Sequence, residues 1–238
     1  MKIGNVCISP NSWNTIMQSI INEEMKAMDE KMSSEKSNFI KNFRVNELSR
    51  IEEIGKSAAE KAAGFITDMT GNPVEVGVVN VVLTTPSEIK EEIKDDYKIF
   101  TGIKFSGDIT GIGVLIFSEE SALKLSKSML AEMGMDDDED DFNEMKISAI
   151  NETCNLLISA YVDTLANFIN TSLSMTPPYF IKGSEKEIIE KVFKSCKVGD
   201  NDIVLTFKSE LFSHGIGSGF EVLIVMPSDS INVLFQKL

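Results

Sequence analysis

The hydrophobic positions of this chain alternate between a helical period and a strand period, and the whole alternation is written twice. From Val45 to Gly71 apolar residues recur at helical spacing: Leu48, Ile51, Ile54, Ala58, Ala62, Phe65 and Met69. Gly71-Asn72-Pro73 ends that helix. Residues 74–83, VEVGVVNVVL, are valine-rich and read as a half-buried strand. The charged segment 86–96 predicts a surface helix with Pro86 at its start. Two further strands, 97–105 and 109–117, flank a tight turn at Ser106-Gly107-Asp108. Residues 118–133 close the series as a helix capped by Ser118.

The second series follows in the same order. Residues 141–171 contain neither Gly nor Pro, and Ile147, Ile150, Cys154, Leu157, Ile158, Tyr161 and Leu165 form one apolar sector of a helix. That helix ends before Pro177-Pro178; residues 179–183 then read as a short strand and 184–195 as a charged helix. Paired strands at 202–212 and 217–226 and a closing helix from Pro227 complete the repeat. The expectation is an internally duplicated α+β fold of pseudo-twofold symmetry. Both halves, 45–134 and 142–238, contribute strands to a shared β-sheet, with the two long helices side by side in one domain. Residues 1–40 form a separate N-terminal extension. Ser12 caps a helix from about Trp13 to Met32 there, whose Met-rich face packs on the body or docks a partner.

Composition narrows the function more than the fold. Among the 238 residues, 42% are hydrophobic and the mean hydropathy is near zero, as expected of a globular protein. A formal net charge of −14 argues against nucleic acid and anionic membrane surfaces, which need clustered Lys and Arg. The three cysteines, Cys7, Cys154 and Cys196, are too widely spaced for a zinc site or disulfide framework, so a cytoplasmic location is expected. The acidic run MDDDEDD at 135–141 lacks the glycine and distal glutamate of a calcium loop and reads as a solvated linker. His214 is the single histidine, which excludes a multi-histidine metal site. No phosphate-binding glycine loop is present. The glycines at 102, 107, 111, 113, 215, 217 and 219 fit hairpin geometry instead.

The chemistry that remains lies on the second long helix. Ser148, Glu152, Asn155 and Ser159 form a narrow polar row away from the apolar sector. A carboxylate and a carboxamide one turn apart can meet the same partner. Ser148-x3-Glu152-x2-Asn155 is followed by twenty-one residues and then Pro177. This pattern resembles the signature [DS]-x3-E-x2-N-x21-P of the CheC/CheX/FliY family of chemotaxis phosphatases, and the likeness covers residues 45–238. The resemblance implies a phosphatase that hydrolyses the aspartyl phosphate of a CheY-type response regulator. Glu152 would engage the regulator's lysine and Asn155 would orient the attacking water, with Ser148 and Pro177 completing the motif. The Mg2+ would be held by the regulator, so no cofactor of the chain's own is expected.

The first half departs from that pattern. Its row reads Ser49-x3-Glu53-x2-Lys56, with Val78 in place of proline. Lysine has no acceptor and cannot hold a water as an amide does, so this second site is expected to be degenerate. Two alternatives stay open. One is a non-catalytic adaptor for a response regulator or a CheD-like deamidase; the other is a homodimeric structural module assembled through the N-terminal helix.

Overall fold

Every residue of the strand Gly111–Phe117 is buried, so this strand needs cover on both faces. Leu115 and Phe117 join one apolar cluster, and Ile112, Val114 and Ile116 join another, as the two-residue period of a strand requires. The computed structural model describes residues 2–3, 6–8, 45–135 and 140–237, and it shows a nine-stranded sheet with helices on both faces. In chain order the elements are β1 (Lys2–Ile3), β2 (Val6–Ile8), α1 (Val45–Thr70), β3 (Glu75–Thr84), α2 (Pro86–Glu92), β4 (Tyr97–Ser106), β5 (Gly111–Phe117) and α3 (Glu119–Glu132). There follow α4 (Glu144–Ile169), β6 (Ser174–Met175), β7 (Tyr179–Ser184), α5 (Glu185–Ser195), β8 (Val204–Ser213), β9 (Ser218–Pro227) and α6 (Ser228–Gln236).

The sheet runs β1-β2-β3-β8-β9-β5-β4, and β6 and β7 both pair with β4. All pairings are antiparallel except β2 with β3. Both series of elements feed this one sheet, and the long helices α1 and α4 pack side by side across it. With α3 and α6 they cover the larger apolar face, while α2 and α5 cover the other. β1 and β2 are additions to the sequence reading, being too short to carry a periodic signal. The expected helix 13–32 and residues 136–139 of the acidic linker lie outside the described residues. Among the described residues no helix is long and apolar enough to cross a membrane.

Three local expectations need adjustment. Helix α2 stops at Glu92 rather than Asp96, and it is sunk on one side, with Pro86 and Glu88 buried while Glu91 and Glu92 are exposed. Glu88 is held there by a reciprocal cap: its carboxylate accepts from the Thr85 amide (3.1 Å) and the Thr84 hydroxyl (2.7 Å). Ile147 is only half-buried, at the margin of the apolar sector of α4. The glycines also divide in purpose. Gly217, at φ +64°, serves the β8–β9 turn, but Gly113 lies in mid-strand. A Cβ on Gly113 would sit 2.6 Å from Cδ1 and 2.7 Å from Cγ2 of Ile158, so α4 is seated on bare backbone at this point.

One buried polar contact ties the same helix further along the sheet. The Tyr161 hydroxyl donates to Ser209 Oγ over 2.7 Å inside the core, linking α4 to β8. Burial pushes the Tyr161 phenol up to about 12, so it stays a donor.

Two outcomes in urea denaturation follow from these contacts. Gly113→Val should lower stability by about 1–3 kcal/mol through overpacking, and adding Ile158→Ala should cost less in that background than in the native one, where it removes about 2–5 kcal/mol. Tyr161→Phe should cost about 1–3 kcal/mol by orphaning the Ser209 hydroxyl, and Ser209→Ala added to it should recover part of that loss.

Candidate functional site

The polar row of α4 faces the segment that joins β6 to β7. The helix begins cleanly, because the Asn143 side chain accepts from the Lys146 amide at 3.0 Å, and it ends at Asn170 in the left-handed conformation. Between those caps the apolar sector turns Ile150, Cys154, Leu157, Ile158, Tyr161 and Leu165 into the core. Ser148 and Glu152 are left exposed and Asn155 half-buried. These three residues, with Asn151, Met175, Thr176, Pro177 and Pro178, line an open depression of about 540 Å³.

The far wall of that depression is a break in strand pairing. Met175 of β6 pairs with Phe105 of β4, and Tyr179 of β7 pairs with Gly102. Three residues, 176–178, therefore face two on β4, a one-residue excess that makes the strand bulge. Thr176 anchors the bulge, its amide donating to the Lys104 carbonyl (2.9 Å) while its hydroxyl accepts from the Lys104 amide (3.1 Å). Pro177 and Pro178 have no N–H to give a ladder, so a bulge is a place they can occupy without losing a bond.

Among the described residues the Glu152 carboxylate and the Asn155 carboxamide have no hydrogen-bonding or ionic partner. Glu152 thus offers a free negative charge to a cation, and Asn155 offers both a donor and an acceptor. All four motif residues of the second half, Ser148, Glu152, Asn155 and Pro177, line the one depression. Ser159 does not line it; its hydroxyl donates to the Asn155 carbonyl at 2.5 Å, bonding back one turn along the helix.

The sequence reading misses Asn151, which lies three residues after Ser148 and four before Asn155 and so shares their face. Its half-burial comes from an inward bond, in which the Thr101 hydroxyl of β4 donates to Asn151 Oδ1 at 2.8 Å. Nothing in the local sequence of α4 announces that partner, fifty residues away.

The first half also carries an exposed row on its long helix and a bulge in a strand, with different residues at both. Ser49, Glu53 and Lys56 are all exposed on α1. Lys56 Nζ is 4.0 Å from Glu60, a solvent-screened contact one turn on. β3 carries its own one-residue excess, since Val76 pairs with Leu211 and Val79 with Ser209. Gly77 and Val78 occupy that bulge, and Val78 is 51% exposed. His214 lies after β8, edge-on to Phe212 and 3.7 Å from Glu75, and is not among the residues lining the depression. Among the described residues no cluster of three or more His, Cys, Asp or Glu side chains is placed to hold a metal ion.

Comparison with known proteins bears on the region that holds this depression. The family model "Chemotaxis phosphatase CheX" matches residues 99–208, from β4 into β8. CheC1 of Halobacterium salinarum, a protein named for CheY-P phosphatase activity, is 19% identical over 167 residues, covering 70% of this chain and 83% of that one. Two solved structures share the fold. Thermotoga maritima FliY superposes with a TM-score of 0.62 at 16% identity, covering 82% of this chain and 96% of that chain. The FliM middle domain from H. pylori gives a TM-score of 0.58 at 14% identity, covering 82% of this chain and 100% of that chain. The matched segment contains the whole of Ser148-x3-Glu152-x2-Asn155-x21-Pro177, and over that segment the chain is similar to the chemotaxis phosphatases of the CheC/CheX/FliY kind.

Proposed function

We propose that this protein hydrolyses the aspartyl phosphate of a CheY-type response regulator, working in the cytoplasm beside it. The observation that carries the reading is the pair Glu152 and Asn155, both unpartnered and both facing one open depression on a rigid helix. The similarity suggests the substrate class, since the matching model is that of a chemotaxis phosphatase and CheC1 is named for phosphorylated CheY.

The chemistry asks little of the protein beyond position and charge. Water attacks phosphorus, the bond from phosphorus to the aspartyl oxygen breaks, and the regulator's carboxylate leaves with the electron pair. The proton of the water passes to the released phosphate or to solvent. The Asn155 amide holds the water in line, its oxygen accepting from the water and its N–H donating to a neighbouring acceptor. Glu152, one turn earlier, pairs with the regulator's active-site lysine and so sets the register of docking. The Mg2+ of the reaction belongs to the phosphorylated regulator and comes with the substrate. Ser148 and Pro177 shape the rim rather than react.

A second reading is a non-catalytic adaptor of the same shape, binding a regulator or a CheD-like deamidase. Lys56 and Val78 favour it, because they show that this fold keeps its row and its bulge where the amide and proline are gone.

Phosphate release from a phosphorylated receiver domain with Mg2+ separates the two. The wild-type chain should accelerate release, and Asn155→Ala or Glu152→Ala should lower the rate on the order of 10²-fold or more. Lys56→Ala should leave it within about twofold, as expected for an exposed residue outside the machinery. Binding of the receiver without any acceleration selects the adaptor.

A further inference from the structure

Asn151 lines the depression but differs from its neighbours in being tied from behind. Its Oδ1 accepts from Thr101, a residue of β4 with no exposed surface. A hydroxyl has one proton, and this one is committed to Asn151. The bond therefore runs one way, from the Thr101 hydroxyl to the carbonyl oxygen of Asn151. With its oxygen held against the sheet, the amide must present its NH2 on the opposite side, toward the depression. Among the described residues that NH2 has no partner.

We propose that Asn151 is a substrate-contacting residue, a pre-oriented N–H donor for an acceptor oxygen of the docked, phosphorylated receiver. The inference rests on the phosphatase reading and deepens it. The acceptor is either a phosphoryl oxygen or a main-chain carbonyl beside it, since both present a lone pair to a donor. Fixing the amide in advance removes the cost of ordering it when the partner docks. Asn151, Glu152 and Asn155 then act as three different groups: a fixed donor, a negative charge and a free amide.

The test compares Asn151→Asp, Asn151→Ala, Thr101→Val and Thr101→Ser in the full chain, using release of phosphate from a phosphorylated receiver domain with Mg2+. Asn151→Asp keeps the acceptor that Thr101 needs but replaces the NH2 by oxygen. It should hold the wild-type thermal midpoint within a few degrees while kcat/KM falls ~10- to 100-fold, the worth of a hydrogen bond to a charged acceptor. Asn151→Ala should lose as much without adding charge. Thr101→Val frees the amide to turn and should lose several-fold, and Thr101→Ser should restore it. A fall confined to kcat identifies the phosphoryl oxygen; a rise confined to KM identifies the carbonyl. If Asn151→Asp and Asn151→Ala both keep kcat/KM within twofold while Asn155→Ala loses its activity, Asn151 is only a structural tie and the inference is overturned. Absence of acceleration by the wild-type chain overturns both this inference and the phosphatase reading.

Discussion

The seating of α4 on the sheet is the constraint from which the rest follows. At Gly113 the helix lies on backbone with no side chain between, and Ile158 fills the space a Cβ would need. A close-packed contact of this kind has one register, since sliding the helix by a residue would drive a different side chain into the strand. The Tyr161–Ser209 bond fixes the same helix at a second place on the sheet. With helical rotation and position both set, the polar face points in one direction. Ser148, Asn151, Glu152 and Asn155 therefore converge on the same depression without needing contacts among themselves.

The site carries polar groups that would be expensive elsewhere. An unpaired carboxylate in the core would cost several kcal/mol, but Glu152 is exposed and its charge is screened. Asn155 is half-buried and faces an open depression, where its amide is within reach of solvent. The first half exposes other residues on its long helix. α1 presents serine, glutamate and lysine, and its β3 bulge holds Gly77-Val78 where the second half has Thr176-Pro177. The two rows thus stand on one shared apolar core and differ in the side chains they expose.

Much of this was legible in the sequence, and the parts that were not share a cause. The two long helices, the β4–β5 and β8–β9 hairpins and the Ser118 cap follow from short-range rules of period, turn chemistry and capping. The depression was reached through the spacing from Ser148 to Pro177, which places four residues on one helix and one bulge. Long-range contacts escaped. Thr101 under Asn151 is fifty residues distant, and the neighbour that explains Gly113 is forty-five positions on, in a different element. The burial of Glu88 was missed because a charged residue in a short polar segment reads as solvated until its cap is seen. β1 and β2 escaped for want of length, their place being set by the edge of β3 rather than by their own pattern.

The paired prolines beside the depression also govern how another molecule can approach this margin of the sheet. A strand edge ordinarily invites a further strand, because its amides and carbonyls are free to continue the ladder. Pro177 and Pro178 supply no amide hydrogen, and β6 before them is only two residues long. Main-chain augmentation is therefore blocked where the functional groups lie. Whatever docks there must be chosen through side chains, which confines recognition to the surface that natural variation can most readily tune.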